Sequence, residues 1–254
     1  MRSEPSDPVV AAFNAAAETY DAATPVQRAV AGALVTRAAR LQPAAQDILD
    51  LGAGAGHVTG LALARWPTAQ LTALDAAPAM LARLKAKFPQ VATITRDARR
   101  LDGLTRYDLI LSSMMLHWLD DPRAALIQWR DHLAPGGVLC IAVPVEGSLA
   151  EWRALTRDAG LDDALWRFPP ADFAANLGAG VEFADFPQNY RDARQFLRAL
   201  KQAGAHSARP GARPTTTGAM RRLLATRDGP FTATFLVAFV TIKAPAATGP
   251  AGPP

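Results

Sequence analysis

The chain has 254 residues, of which 50% are hydrophobic and 20% are charged, enough to bury the core of one sizeable α/β domain. Its 27 basic and 23 acidic residues give a net charge of +4, without the dense basic run that would indicate nucleic-acid binding. No stretch approaches the ~18 apolar residues of a membrane span, and the polar start lacks the apolar core of a secretory signal. A single cysteine, Cys140, excludes an intramolecular disulfide and a cysteine-rich metal cluster, and its apolar neighbours predict a buried thiol. We therefore expect a cytoplasmic protein.

The first half of the chain alternates between helical and extended patterns. Residues 8–40 predict two helices broken near Pro25. Five short apolar runs then predict strands at 46–51, 70–74, 91–95, 107–112 and 137–143. Helical spacing between them predicts helices at 57–66, 78–88 and 122–133. Such an alternation indicates βαβ units and a parallel sheet that is covered on both faces.

The pattern changes after Ser148. It predicts, in order, a helix at 149–159, a short strand at 181–186, helices at 192–203 and 217–227, and an apolar strand at 231–242. We therefore predict an α/β fold with a seven-stranded, mostly parallel, doubly wound sheet of the Rossmann-like kind. The domain would span 1–243, with a cofactor-binding core at about 45–145 and helical cap elements at about 8–40 and 148–227. A disordered tail at 244–254 and a loop at 208–214, a candidate lid, complete the prediction.

The first predicted strand ends in an acidic residue and a glycine-rich turn, Asp50-Leu-Gly-Ala-Gly-Ala-Gly56. Ligands of open α/β sheets bind beyond the carboxyl ends of the strands, and glycines allow the backbone to approach them closely. A dinucleotide fingerprint counted from Gly52 requires a glycine where the chain has His57, and no P-loop lysine is present. The turn therefore predicts a cofactor with a cationic amino-acid group. Asp50 would either orient the turn or meet that group's ammonium.

Two further acids follow the next two strands. Asp75 ends the second strand, 25 residues after Asp50, where a carboxylate can accept both ribose hydroxyls of a nucleoside. Asp97 follows the third strand and could reach an adenine amino group. Each acid taken alone could be a helix cap or part of a solvated turn. Three acids at successive strand ends behind a glycine turn favour a cofactor site.

These features resemble the class I S-adenosylmethionine-dependent methyltransferases over about residues 45–145, as does the Ala134-Pro-Gly-Gly137 turn. The resemblance implies S-adenosylmethionine as cofactor, S-adenosylhomocysteine as product and no metal. Packing or core roles remain open for three of the implied contacts, Tyr20, Gln27 and Met80. The full set of implied cofactor contacts is Tyr20, Gln27, Asp50, Gly52, Ala53, Gly54, Asp75, Ala76, Met80, Asp97, Ala98 and Ser113.

Segments outside this core resemble the biotin-pathway malonyl-acyl-carrier-protein O-methyltransferases. They are residues 13–28, 112–121, 147–153, 167–169, 189–193 and 200–205. The resemblance implies that a malonyl-acyl-carrier protein or a small acyl thioester is methylated on its free carboxylate. It implies neither nucleic-acid nor membrane partners, and we expect a monomer. Nucleic-acid methylation is disfavoured because Ser112-Ser-Met-Met115 replaces the adenine-methylase motif and Cys140 is predicted to be mid-strand and buried.

Four residues are candidates for contacting the substrate: Tyr20, His117, Trp118 and Arg153. A carboxylate is ionised near neutral pH, so its methylation needs no general base, and catalysis would rest on alignment and water exclusion. Arg153 could hold the substrate carboxylate in a bidentate pair, or it could be a solvated helix arginine. His117, at a position where glutamine is commoner in this family, could also be a structural histidine.

Two alternative functions remain open. A small-molecule or quinone-type O- or C-methyltransferase would need a general base, for which His117 is the candidate. The Leu-His-Trp segment also resembles a methyltransferase-like assembly factor of respiratory complex I, which is linked to arginine hydroxylation on a partner protein. Arg194, Arg198 and Lys201 share helical spacing and could form a basic face for an acidic carrier protein, or an ordinary solvated face.

Overall fold

The computed structural model describes residues 7–209, 211–213, 215–225 and 229–246. Three helices come first: α1 (Pro8–Ala16), α2 (Tyr20–Ala23) and α3 (Pro25–Leu41). Asp7 caps α1 by accepting a hydrogen bond from the backbone N–H of Val9 at 2.8 Å. Prolines occupy the first position of α1 and of α3, where a missing N–H costs no helical hydrogen bond. The predicted break near Pro25 is confirmed, but the prediction of a single helix before it was wrong, because that stretch forms the two helices α1 and α2.

Strands and helices then alternate as predicted. The elements are β1 (Asp47–Leu51), α4 (His57–Arg65), β2 (Gln70–Asp75), α5 (Pro78–Lys87), β3 (Ala92–Thr95), β4 (Tyr107–Ser113), a 3-10 turn (Leu116–Trp118), α6 (Pro122–Arg130) and β5 (Leu133–Pro144). The prediction of a helix up to residue 133 was wrong. His132 already accepts a hydrogen bond from the backbone N–H of Tyr107 at the start of β4, so this part of the chain belongs to the sheet.

The remaining elements are α7 (Ala150–Asp158), β6 (Gly180–Tyr190), α8 (Ala193–Gln202), α9 (Thr217–Ala225) and β7 (Phe231–Lys243). β6 is longer than the predicted strand at 181–186, because it pairs with β7 along its whole length. β6 lies at the edge of the sheet and most of its side chains are exposed, so an apolar pattern marks only part of it. The prediction of a disordered tail from residue 244 was wrong for its first residues, because the N–H of Ala244 donates to the carbonyl oxygen of Gly137 at 2.9 Å and the carbonyl oxygen of Pro245 accepts from the N–H of Gly136 at 2.8 Å. Residues 247–254 of that tail, and positions 210 and 214 of the predicted loop, lie outside the described residues.

The strands form one seven-stranded sheet in the order β3-β2-β1-β4-β5-β7-β6. β1 to β5 are parallel to one another, and β7 runs antiparallel to both β5 and β6. This confirms the predicted α/β class and the mostly parallel, Rossmann-like sheet. The strand order reverses between β1 and β4, which is where such sheets open a crevice for a ligand.

Alternate residues of the central strands enter two separate cores. Ile48 and Leu109 pack with helices α3 and α4 on one face, and Leu49 and Ile110 pack with α6 on the other. Cys140 lies in β5 at 1% exposure, and burial raises the pKa of its thiol to about 12, so the prediction of a buried thiol is confirmed. Within the described part of the chain, no helix is long and apolar enough to cross a membrane.

Candidate active site

The glycine turn after β1 is tied to the end of β2. The backbone N–H groups of Gly52 and Ala53 both donate to the carbonyl oxygen of Leu74, at 2.8 and 3.1 Å. Gly52 has a φ of +69°, in the left-handed region, and a Cβ there would lie 2.7 Å from the Cβ of Met115. Only glycine satisfies both constraints. The turn therefore presents bare backbone to the cavity beside it.

Asp75 joins this turn to the start of α5. One of its carboxylate oxygens accepts from the N–H of Gly54 and the other from the N–H of Ala77, each at 2.8 Å. Burial raises the pKa of Asp75, and these backbone hydrogen bonds act against that rise. Each oxygen keeps a second lone pair, so the carboxylate is fixed in place and can still accept hydroxyl groups from a ligand.

Asp97 is held by an arginine that the sequence analysis did not single out. Arg99 Nε lies 3.0 Å from both carboxylate oxygens of Asp97, and Arg99 Nη2 lies 2.6 Å from one of them. Burial acts to raise the pKa of Asp97, but the hydrogen bonds and charge of Arg99 outweigh it and lower the pKa. Arg99 also lies 3.8 Å from Asp7 and 3.5 Å from Asp120. The carboxylate that was predicted to reach the adenine amino group therefore belongs to a cluster of ion pairs.

Asp50 lies behind the turn and does not line the cavity. It is 1% exposed, and one of its oxygens accepts from the hydroxyl of Thr59 at 2.7 Å, while the other has no partner among the described residues. Burial raises its pKa to about 7. Of the two roles predicted for Asp50, its position fits the orientation of the turn.

A cavity lies beside the glycine turn, Asp75 and Asp97, and nine of the twelve predicted cofactor residues line it. The nine are Tyr20, Gly52, Gly54, Asp75, Ala76, Met80, Asp97, Ala98 and Ser113. Asp50, Ala53 and Gln27 are not among its lining residues. Five apolar residues that were not predicted as site residues also line the cavity, namely Val9, Val10, Phe13, Met114 and Met115. The position of the two methionines directly after β4 was the available signal, because ligands bind at the carboxyl ends of strands.

The charge of this cavity suits a cationic nucleoside. Three carboxylates, from Asp7, Asp75 and Asp97, line it with one arginine, Arg99. The hydroxyl of Ser113 is buried and has no hydrogen-bond partner among the described residues, so it is available to a ligand. An ammonium, a sulfonium and two ribose hydroxyls would find acceptors here, so these residues fit S-adenosylmethionine.

The N-terminal helices close one side of the cavity. The side chain of Asn14 accepts from the N–H of Ala79 at the start of α5, at 2.9 Å. Tyr20 stacks on His57 with ring centroids 5.6 Å apart, and His57 Nε2 lies 2.8 Å from the hydroxyl of Thr24. Burial raises the pKa of Tyr20, with nearby carboxylates adding to the rise, so its hydroxyl stays protonated and can donate a hydrogen bond.

A second, inner cavity shares four lining residues with the first: Phe13, Tyr20, Met114 and Trp118. Its other walls are Gln27, His117, Leu149, Leu165, Trp166, Phe168, Leu200, Ala203, Ala205 and Phe235. Three of the four predicted substrate residues, Tyr20, His117 and Trp118, therefore come together, and Gln27 lies with them rather than in the cofactor cavity. None of the described residues that line the inner cavity carries an ionised side chain.

His117 is neutral in this cavity. It is 6% exposed and packs against the rings of Trp118 and Phe168, at centroid distances of 4.8 and 5.4 Å. Burial lowers its pKa to about 3. Its Nδ1 has no hydrogen-bond partner among the described residues, so this atom is free to form a hydrogen bond with a ligand. The lowered pKa means that the imidazole is not readily protonated.

Arg153 is not among the residues that line either cavity. Its guanidinium lies 2.7 Å from a carboxylate oxygen of Asp163, 3.2 Å from the carbonyl oxygen of Trp166 and 3.4 Å from that of Ser148. The side chain is 22% exposed, so it is not a freely solvated helix arginine either. Arg153 supports the aromatic wall of the inner cavity from behind.

A family model described as a methyltransferase domain matches residues 48–137. The biotin biosynthesis bifunctional protein BioCD of Bordetella avium is 36% identical over 225 residues, which cover 87% of this chain but 48% of that protein, so the chain spans about half its length. The malonyl-[acyl-carrier protein] O-methyltransferase of Laribacter hongkongensis is 32% identical, with 80% of this chain and 75% of that protein covered. The trans-aconitate 2-methyltransferase of Streptomyces avermitilis is 41% identical over 117 residues, 44% of each protein.

Among solved structures, the BH2331 protein of Bacillus halodurans is similar with a TM-score of 0.60 at 16% identity, covering 85% of this chain and 99% of that one. The strand order, the glycine turn and the acidic cavity together define a class I methyltransferase. The chain belongs to the class I S-adenosylmethionine-dependent methyltransferases and, within that family, resembles the malonyl-[acyl-carrier protein] O-methyltransferases.

Proposed function

We propose that this enzyme methylates the free carboxylate of a malonyl thioester carried on an acyl-carrier protein, as a step of biotin synthesis in the cytoplasm. The observation that carries the proposal is the inner cavity. It adjoins the cofactor cavity through four shared residues, and aromatic and aliphatic side chains form most of its walls. Relatives that carry this activity in their names cover most of the chain.

The proposed reaction needs alignment more than acid–base chemistry. The chemistry that S-adenosylmethionine supplies when bound is an electrophilic methyl group, and a carboxylate that accepts it transfers no proton. The protein's task is to exclude water and to hold the carboxylate in line. The Tyr20 hydroxyl, the Gln27 amide and the His117 ring are polar groups on the described lining of the inner cavity, as are the indole N–H groups of Trp118 and Trp166. We assign the first three to hydrogen bonds with the malonyl group.

In this proposal Arg153 does not contact the substrate. Its guanidinium is already shared between Asp163 and the carbonyl oxygen of Trp166. Trp166 and Phe168 form part of the cavity wall. We therefore assign Arg153 as a positioning residue that fixes these two rings against the substrate.

The electrostatics of the inner cavity disfavour two other small-molecule acceptors, trans-aconitate and phenols. Trans-aconitate carries three carboxylates, and the described lining of the inner cavity offers no lysine or arginine to pair with the extra charges. Methylation of a phenol calls for a general base, and a histidine whose pKa is lowered to about 3 is a weak one. A malonyl thioester brings one carboxylate, already ionised, and an uncharged acyl chain.

An acceptor panel tests the proposal. The purified protein would be incubated with S-adenosylmethionine and, separately, malonyl-acyl-carrier protein, malonyl-pantetheine, trans-aconitate or a set of phenols, and released S-adenosylhomocysteine would be measured. We expect the malonyl thioesters to give the fastest turnover, with the methyl ester confirmed by mass spectrometry. Tight cofactor binding without transfer to either malonyl thioester would refute the proposal and favour action on a protein partner.

A further inference from the structure

Positive charge is concentrated in one segment of the chain. Residues 193–225 contain no aspartate or glutamate and seven basic residues: Arg194, Arg198, Lys201, Arg209, Arg213, Arg221 and Arg222. The other 221 residues contain 20 basic and 23 acidic residues, so their net charge is −3. The basic residues are therefore not evenly distributed along the chain. The segment that carries it packs against the inner cavity.

Helix α8 presents its charges to solvent. Arg194, Arg198 and Lys201 are exposed, whereas Phe196 is buried and Leu200 is half-buried on the opposite side of the helix. None of the three cations lies within ion-pair distance of a carboxylate among the described residues, although a backbone hydrogen bond and, to a smaller extent, the charge of Arg198 lower the pKa of Asp192, which caps α8. We call these three side chains the basic face of α8. Unpaired surface cations of one sign attract an anionic partner and raise its rate of association.

The same segment forms part of the wall of the inner cavity. Leu200, Ala203 and Ala205 line that cavity directly behind the basic face. Arg209, a few residues further on, lines an open surface groove together with Arg167, Pro169 and Pro170. That groove shares His117, Trp166 and Phe168 with the inner cavity. Asp120 and Asp121 also line the groove, and the three shared side chains form a wall that is common to the groove and the inner cavity.

We propose that the basic face of α8 docks an acidic carrier protein, whose thioester arm then enters the inner cavity that Leu200, Ala203 and Ala205 line behind that face. This inference rests on the proposed function. The described lining of the inner cavity has no ionised group to attract a carboxylate. Recognition of a carrier-bound substrate must then draw on contacts outside the cavity, and the basic face has the charge complementary to an acidic partner.

Charge reversal on the basic face tests the docking. The double variant Arg194→Glu and Arg198→Glu would be compared with the matched control Arg40→Glu and Arg65→Glu, whose side chains are also exposed but lie on α3 and α4. Each protein would be assayed with malonyl-acyl-carrier protein and with malonyl-pantetheine, which presents the same acyl arm without a protein and without phosphates. Circular dichroism would establish that both variants are folded.

We expect the α8 variant to raise the KM for the carrier-bound substrate about tenfold and to leave malonyl-pantetheine within about twofold, with the control unchanged on both. The KM of the native enzyme for the carrier substrate should also rise with salt, more steeply than that of the α8 variant. An unchanged KM for the carrier substrate, or equal losses on both substrates, would overturn the docking surface while leaving the proposed function intact. If the native enzyme methylates neither thioester, the proposed function itself fails, and the docking proposal with it.

Discussion

The cofactor cavity and the inner cavity are adjacent, but different chemical groups form their walls. The cofactor cavity depends on backbone N–H groups and carboxylates at the ends of strands, with Asp75 holding Gly54 and Ala77. The inner cavity depends on packed rings, which an ion pair between Arg153 and Asp163 supports from behind. Fixed polar groups suit one invariant ligand, whereas a wall of side chains from distant segments can be reshaped for different acceptors.

The largest expected effect comes from Asp75 on the cofactor side. Asp75→Asn replaces a carboxylate that accepts two backbone hydrogen bonds by an amide that can accept on one side only. We expect the affinity for S-adenosylhomocysteine to fall about fiftyfold, as measured by calorimetric titration. Asp131→Asn, at an exposed position, is the control and should bind as the native protein does. Unchanged binding by Asp75→Asn would show that the cofactor does not use this carboxylate.

One buried group near each cavity should make the free energy of unfolding depend on pH, and the two contributions have opposite signs. Burial raises the pKa of Asp50, behind the cofactor cavity, to about 7, so the folded chain keeps a proton that the unfolded chain releases above its ordinary pKa near 4. Burial lowers the pKa of His117, in the inner cavity, to about 3, so the unfolded chain binds a proton below about 6.5 that the folded chain does not. Acidification from pH 7 to pH 5 therefore stabilises the fold through Asp50 and destabilises it through His117.

Two variants separate these contributions. Between pH 7 and pH 5, Asp50→Asn should lose about 2 kcal/mol more unfolding free energy than the native protein, and His117→Gln about 2 kcal/mol less. The pKa of His57 is also lowered, to about 4, but this histidine is present in both variants and cancels in the comparison. Urea unfolding at the two pH values measures each difference. If both variants follow the native protein, the buried groups do not titrate as described.

A smaller and more selective effect is expected behind the inner cavity. Arg153→Ala removes the hydrogen bonds to Asp163 and to the carbonyl oxygen of Trp166. We expect kcat/KM for malonyl-pantetheine to fall about tenfold while cofactor affinity stays unchanged. Asp163→Ala should have a similar effect, and the double variant should lose little more, because both residues support the same wall. Additive losses would instead indicate that Arg153 contacts the substrate directly.

The sequence was sufficient to predict the cofactor half because its signals are local. The turn from Asp50 to Gly56 and the position of Asp75 at the end of a strand predicted a cofactor site, and the structure has a cavity beside these residues. Asp50 itself was harder to place, since only the folded turn shows that its carboxylate is buried behind the glycines. Arg99 was missed because a charge two residues after an acid is common on solvated surfaces.

The inner cavity could be predicted only in part, because its walls come from segments that are far apart in the sequence. His117 and Trp118 followed from their position after β4, but Phe13, Leu200 and Phe235 approach them only through tertiary packing. The placement of Arg153 behind Trp166 depends on Asp163, in a stretch that has no regular secondary structure to predict. Edge strand β6 was predicted too short for a related reason, since its exposed residues lack a pattern of burial.

A crystal structure with S-adenosylhomocysteine and malonyl-pantetheine would show which residues bind the cofactor and which bind the malonyl group. We expect the ribose hydroxyls on Asp75, the adenine beside Asp97, and the malonyl carboxylate between Tyr20 and His117, facing the sulfur where the two cavities meet. A malonyl carboxylate paired with Arg153, or an acyl chain lying outside the inner cavity, would contradict this prediction.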